Sequence, residues 1–508
     1  MKWPLIGFIG VSAALLLPIL LHPHLPLVDL PNHIARLYIA ANPDTALGQY
    51  YDYTLGLTPN SAVDWLWLGL GRYFWSAEGF VNFMIGFYVV SFLASLMALS
   101  RVLHGRWSLW PLAGGLLVYN EVFFWGFQNY LVTVPFAIFA LALWLALEGR
   151  GHALRIALFT PIALLLYYMH PFGFALFMFT TFGRELHRVV QAGRAWAKTL
   201  LANAALALPF LLPLGIQLIA SRQNPENLFG NITRYGSLSQ RLEALTSPFT
   251  VITGDSATLQ ISGYLILYLF IALLVFARRR IGSRLRMNAK LAGPLWMLLL
   301  VSAIIPANLN GVAFVQIRFP FVVLALFIAA TSWVGLKPKF AAALLIGLAS
   351  LGLFRVILIE GLVARHSQEI EQLATVLEAV PAGALLLPVT ARPNGPDPRR
   401  WHIQAYGVPI ANAFVPTLFL GAHALSLKPQ WQDRALAQGY SLSWQTLRNP
   451  PPPDPRQSAL NNLTLLQNWQ QKFTHLLVLT PLPEGALEGY PLGLIRQEGG
   501  ISLYKIKP

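Results

Sequence analysis

Pro26-Leu27-Val28-Asp29-Leu30-Pro31-Asn32-His33-Ile34-Ala35-Arg36-Leu37-Tyr38 gathers a carboxylate, an amide, an imidazole and a guanidinium directly behind an apolar run at positions 4 to 21. Pro31 suits the first turn of a helix, because its missing N–H would be unpaired there anyway. From that start Asn32 and Arg36 share a face by their i, i+4 spacing, His33 lies beside them and Asp29 stands just ahead. Two readings of Asp29 are open. It belongs to a polar cluster beside the lipid headgroups, or it is an N-cap accepting from first-turn amides while His33 and Arg36 face water and lipid phosphate. The preceding run, with Lys2 before it, resembles a signal peptide. It is followed by Leu21-His22-Pro23-His24 rather than a small-residue cleavage site, so it is expected to remain as an anchor.

The rest of the chain agrees with a membrane setting. Of 508 residues, 56% are hydrophobic and only 11% charged, whereas soluble domains carry roughly a quarter charged residues. Cysteine is absent, which excludes a disulfide framework and thiolate metal ligation. Crossing about 30 Å of hydrocarbon takes about 20 mostly apolar residues. Eleven stretches are candidates: 4–21, 79–100, 107–124, 130–147, 153–169, 171–183, 199–219, 260–277, 291–306, 319–335 and 340–360. The fifth and sixth share a break at His170-Pro171 and read as a tight hairpin or two tilted half-spans.

The formal charge of +15 has an uneven distribution. One alternating set of loops holds Lys2, Arg101, Arg106, Arg150, Arg155, Arg184, Arg188, Arg194, Lys198, the Arg278 to Lys290 cluster, Lys337 and Lys339. The opposite set holds only Arg36, Arg72, Arg222, Arg234, Arg241 and Arg318. Lys and Arg of short loops stay in the cytoplasm. The expected fold is therefore a polytopic α-helical membrane protein of about 11 transmembrane helices, N-terminus in and C-terminus out. The charge then marks orientation, and no nucleic-acid partner is implied.

Three outer segments follow: 22–77, 220–260 and the tail 361–508. The first contains Ala62 to Trp75, rich in Trp and Tyr, which suits a helix lying in the interface or, alternatively, an eroded extra span. The tail reads as a small α/β domain, with helices at Arg365 to Val380 and Asn461 to Gln471 and strands at Ala384 to Val389, His475 to Thr480 and Gly500 to Lys507. Asn449 to Pro455 is an extended proline-rich piece. Asn231-Ile232-Thr233 and Asn462-Leu463-Thr464 fit a glycosylation triplet that matters only in a eukaryotic secretory setting. The tail carries no glycine-rich phosphate loop, G-x-S-x-G or H-E-x-x-H, and no catalytic motif is expected in it. The division expected is a membrane domain over 1–360 and an extracytoplasmic domain over 361–508.

Within the spans ionisable residues are nearly missing, Arg355 being the clearest exception, with Glu360 at a span end. A transporter would be expected to place charges near the midplane. Polar groups collect instead at the outer span ends: Glu121 at the end of span three, Gln128 and Asn129 between spans three and four, His170 between five and six, and Arg318 at the start of span ten. Each has a structural alternative, since Glu121 suits a solvated position, His170 a helix cap and Arg318 a snorkelling cation.

Asp29, following an anchor span and leading into interfacial helices before further spans and a soluble outer domain, makes residues 1–360 resemble the GT-C class of integral-membrane glycosyltransferases. That class includes protein O-mannosyltransferases and lipid A aminoarabinose transferases. Asp29-Leu30-Pro31-Asn32-His33 and Pro59-Asn60-Ser61-Ala62-Val63-Asp64 resemble bacterial members. The resemblance implies inverting transfer of a sugar from a polyprenyl-phosphate donor to a lipid, glycan or protein acceptor on the periplasmic or outer side of the cytoplasmic membrane. Asp29 takes the position of the first-loop acid, a general base or acceptor-orienting residue, and Glu121 falls in the second outer loop, where members of the class keep another acidic or metal-binding residue. Asn32, His33, Arg36, Gln128, Asn129, His170 and Arg318 are candidates for substrate or phosphate binding. The loop has no D-x-D triplet, a departure that counts against a metal-bound site like that of the oligosaccharyltransferases, and a divalent metal ion is no more than a possible cofactor. The competing readings are a transporter or flippase of a lipid-linked saccharide, and a non-catalytic scaffold presenting the tail.

Overall fold

The computed structural model describes residues 2–507 apart from 224–232, 253–256, 281–283, 394, 396, 421–423, 437–440 and 453–463. Both glycosylation triplets, at 231–233 and 462–464, and the end of the proline-rich piece fall wholly or partly outside the described residues. The chain runs α1 (Lys2–Leu21), α2 (Leu30–Ala41), β1 (Tyr51–Tyr53), α3 (Ala62–Gly69), α4 (Ala77–His104), α5 (Glu121–Phe124), α6 (Gln128–Ala146), α7 (His152–Met169), α8 (Pro171–Gln191), α9 (Trp196–Asn203), α10 (Leu208–Gln223), α11 (Leu238–Ala244) and α12 (Ala257–Arg280). It continues through β2 (Arg284–Met287), α13 (Ala292–Ile304), α14 (Pro320–Ala330), β3 (Thr331–Val334) and α15 (Pro338–Leu377). Six helical stretches among the described residues are long and apolar enough to cross a membrane: α1, α4, α6, α7, the stretch Gly193–Ile219 and α15. Shorter apolar helices lie at Gln260–Phe276, Ala289–Ile304 and Pro320–Ala330.

Local chemistry sets several of these boundaries. Ser76 caps α4 by accepting from the Gly79 amide at 3.0 Å, and Gly105 in the left-handed region ends it. His170 divides the expected hairpin: its Nδ1 accepts from the Phe172 amide at 3.1 Å and Pro171 opens α8. The break therefore yields two full helices, and α8 runs beyond the expected 183. Stretch 107–124 is not a continuous helical span. Trp110–Leu117 is a 3₁₀ segment and Glu121–Phe124 a single α turn. Pro111, Gly114 and Gly115 weaken an α-helix there, and the glycines lie against Leu96 of α4 and against Val11 and Leu15 of α1.

α15 has 40 residues and so extends about 60 Å, twice the hydrocarbon thickness. It joins the expected last span and the first tail helix into one rod, with residue 360 in its interior. Beyond it lie β4 (Leu386–Thr390), α16 (Gly407–Ala411), β5 (Leu425–Leu427), β6 (Leu442–Ser443), α17 (Trp444–Arg448), α18 (Trp469–Lys472), β7 (His475–Val478), β8 (Leu492–Glu498) and β9 (Ile501–Ile506). The tail sheet has the order β6-β4-β7-β9-β8. β6, β4 and β7 are parallel and the rest antiparallel. β8 was not expected from the sequence because most of its residues are exposed. The expected helix at 461–471 is reduced to a 3₁₀ turn at Thr464–Leu466 and the short α18.

Tail and first outer loop are interlocked. β1 pairs antiparallel with β5, Tyr51 opposite Leu427 and Tyr53 opposite Leu425. The Tyr51 hydroxyl donates to the Val415 carbonyl at 2.8 Å and accepts from the Val415 amide at 2.9 Å. Tyr38 donates to Asn412 Oδ1 at 3.0 Å and Tyr50 to the Gly383 carbonyl at 2.6 Å. In the loop, Trp65, Leu66, Tyr73 and Phe74 are exposed, whereas Trp67 is buried and donates to the Leu37 carbonyl at 2.8 Å.

Candidate active site

Asp29 lies where the first loop, the segment before α6 and the tail meet. Its amide donates to the Trp125 carbonyl at 3.1 Å, and the Val28 amide to Phe124 at 2.9 Å. This approach depends on Gly126, which has φ +77°; a Cβ there would lie 3.0 Å from the Asp29 nitrogen. Although Asp29 occupies the N-cap position of α2, it has helical dihedrals (φ −84°, ψ −9°) and its side chain caps no amide. The capping alternative is thereby excluded, because an N-cap normally needs extended backbone to bring its oxygen over the helix end.

Burial pushes the Asp29 carboxyl up to about 7, against the opposing pull of Arg318. Arg318 is 4% exposed, and burial brings it down to about 10. Its guanidinium stacks over Phe127 at 4.0 Å, with Phe172 at 5.1 Å and Tyr130 at 5.6 Å, and donates to the Ala313 carbonyl at 3.3 Å. Tyr130 donates to the Arg318 carbonyl at 2.6 Å and meets the His170 ring edge-on at 5.4 Å. Arg318 thus acts on Asp29 electrostatically and neighbours His170 through Tyr130 and Phe172.

The other sequence candidates divide. Arg36 pairs with Asp64 at 2.8 Å, both nearly fully buried, so it holds α2 to α3 and carries a structural load at the back of the site. Burial raises Asp64, with Arg36 and Tyr53 opposing. Asn32 Oδ1 accepts from the Phe419 amide of the tail at 3.2 Å. His33 is buried on the same turn of α2. Glu121 touches Asp29 only indirectly: it accepts from Trp125 Nε1 at 3.4 Å and Thr250 Oγ1 at 3.1 Å, and Trp125 supplies the carbonyl that holds the Asp29 amide. Asn129 donates to Asn60 Oδ1 at 2.8 Å, tying the loop's Pro59–Asp64 motif to α6. Gln128 is buried. Among the described residues Asn32 Nδ2, Gln128 Nε2, Asn129 Oδ1 and Arg318 Nε are buried with no partner. Such orphans are uncommon in native folds, and a polar ligand would satisfy them. Arg355 is a structural tie instead, donating to Ser262 Oγ at 2.6 Å and to the Phe249 carbonyl at 2.9 Å. Glu360 pairs with His22 at 2.9 Å.

Sequence reasoning missed a residue from the tail. His402 Nε2 lies 3.7 Å from Asp29 Oδ1, with the imidazole 5% exposed. Trp401, next to it, tilts against Trp125 at 5.7 Å. The tail, in which no catalytic motif is expected, thus places a side chain against Asp29. The run Arg399-Arg400-Trp401-His402 fits no motif, so only the interlocked fold discloses it.

A divalent metal ion does not suit this donor set. Among the described residues no three His, Asp or Glu side chains come together, and Asp29 already has a buried cation, Arg318, acting on it.

No protein-family model matches the chain, and no curated protein matches it. Solved structures do: ArnT from Cupriavidus metallidurans in the apo state and ArnT bound to undecaprenyl phosphate. Each is 12% identical, aligned over 99% of this chain and 99% of its own, with a TM-score of 0.54. From the membrane helices through the tail, this chain shares the fold of these ArnT structures.

Proposed function

We propose that this protein is a glycosyltransferase of the cytoplasmic membrane, with its N-terminus inside and about 11 membrane segments, acting at the outer, periplasmic face. It moves a sugar from a polyprenyl-phosphate donor to a lipid, glycan or protein acceptor with inversion. The observation that carries this reading is Asp29 itself: a carboxyl with its pKa raised to about 7, beside a buried guanidinium with an orphan Nε. The fold is shared with an ArnT structure bound to undecaprenyl phosphate.

Each group has a task in this reading. An acceptor hydroxyl is a poor nucleophile at neutral pH, so Asp29 takes its proton as the oxygen bonds to the anomeric carbon. The bond from that carbon to the phosphate oxygen breaks on the opposite face, and its electron pair leaves with the polyprenyl phosphate. Arg318 meets the charge developing on that phosphate in a water-poor setting, where such stabilisation is strongest. A base effective near neutrality suits a pKa close to the working pH. Activity should therefore rise with pH and level off above about 7, as Asp29 ionises.

The test uses the full chain in lipid nanodiscs with a panel of radiolabelled undecaprenyl-phosphate sugars and an envelope lipid extract as acceptor. The native chain should transfer label, and Asp29→Asn should lose about 10²- to 10⁴-fold in kcat while still binding undecaprenyl phosphate. Unchanged turnover in Asp29→Asn would remove the base. Donor crossing between vesicle leaflets without transfer would replace the enzyme with a flippase.

A further inference from the structure

The Asp29 side chain caps no amide of its own helix and meets the tail instead. His402 Nε2 faces its Oδ1 at 3.7 Å, a separation that a small side-chain rotation closes, and catalytic hydrogen bonds are commonly long before substrate binds. The imidazole packs edge-on against Phe419, with ring centroids 5.0 Å apart. The Phe419 amide is bonded to Asn32 on the first turn of α2. Trp401, on the other side, leans on Trp125, whose carbonyl holds the Asp29 amide. One tail segment thus braces α2 and the Trp125 turn together, and His402 stands between those braces.

We propose that His402 is a positioning residue supplied by the tail: its Nε2–H holds Asp29 Oδ1 so that Oδ2 is presented to the acceptor hydroxyl, making the tail part of the active site. This rests on the reading of Asp29 as the base. The proton leaves the hydroxyl for Oδ2, the hydroxyl oxygen bonds to the anomeric carbon, and the phosphate departs with the electron pair of the broken bond. His402 keeps its own proton throughout. A hydrogen bond to one oxygen fixes carboxylate rotation, which capping leaves unfixed here, and favours the ionised form. The other charged group acting on Asp29 is Arg318, from the segment before α14; His33 follows one turn later on α2 itself.

The experiment titrates the Asp29 carboxyl by infrared difference spectroscopy on the full chain in nanodiscs, with Asp29→Asn as the blank. His402→Phe keeps the ring packing and removes the donor, and it should raise the midpoint by about one pH unit, the tenfold change expected for a hydrogen bond to a charged group. His402→Gln restores a donor and should recover most of that shift, and it also guards against a misfolded phenylalanine variant. With the donor that the native chain transfers, His402→Phe should lower kcat about tenfold at unchanged KM, move the pH–rate limb upward equally, and be rescued by His402→Gln. An unmoved midpoint in both variants overturns the proposal. So does loss of all transfer in His402→Phe with Asp29 titrating normally, because His402 would then be the base. If the native chain transfers no sugar, the proposed function fails, while the titration still decides whether His402 holds Asp29.

Discussion

Asp29 should reduce the stability of the protein that uses it. Its pKa is about 7 against 3.8 for an ordinary aspartate, roughly three units, and each unit is about 1.4 kcal/mol. A raised acid contributes nothing unfavourable below pH 4, where it is protonated whether folded or unfolded. Its cost grows as the unfolded chain ionises and reaches about 4 kcal/mol once the folded carboxyl is also ionised, above about pH 7. Asp29→Asn keeps the shape and removes the charge. It should match the native protein near pH 4 and exceed it progressively up to pH 8, by at most about 4 kcal/mol, less the loss of the counter-charge to Arg318. For a chain of this length that corresponds to a few degrees in melting temperature. The assay is thermal unfolding in nanodiscs at half-unit pH steps, followed by tryptophan fluorescence. An Asn variant that melts no higher than the native protein at pH 8, or by an offset independent of pH, would refute the claim that desolvation holds the Asp29 carboxyl well above its ordinary range. Gain of stability with loss of transfer is the trade expected of a working site.

Two more outcomes follow from the same geometry. Asp64→Ala leaves Arg36 buried and unpaired and should cost about 3–5 kcal/mol, whereas Arg36→Leu combined with Asp64→Leu should cost less than the two single changes summed, read from melting in a double-mutant cycle. Arg318→Gln should weaken binding of undecaprenyl phosphate by about 10- to 100-fold. Arg318→Lys should restore little, because an ammonium lacks the planar face that stacks on Phe127 at 4.0 Å; full recovery in a fluorescence titration would show that only charge matters.

Most helices were legible because burying apolar length is a property of consecutive residues, and runs such as 79–100 or 130–147 carry it without reference to anything else. The break at His170 was equally local, a capping imidazole followed by proline. Stretch 107–124 misled because apolar composition does not report backbone geometry: Gly114 and Gly115 let α1 and α4 approach, and the segment winds as 3₁₀ helix instead. The division expected at 360 follows the fall in hydropathy, and α15 runs through that position because its polar half buries Ile370, Leu373 and Val376.

The sequence by itself determined that the chain is a membrane protein and that polar chemistry gathers just after the first helix, since both follow from composition and short spacing. It also marked Asp29 and Arg318. What they do to one another was decided only by the tertiary structure. Whether Asp29 caps α2 depends on backbone angles set by Gly126 and Trp125, and Arg36 left the site because Asp64 from another helix neutralises it. His402 joined because β1 pairs with β5 and draws the tail onto the loop. Burial and partner charge are properties of position in three dimensions, and they turn an ordinary carboxylate into one that titrates near 7.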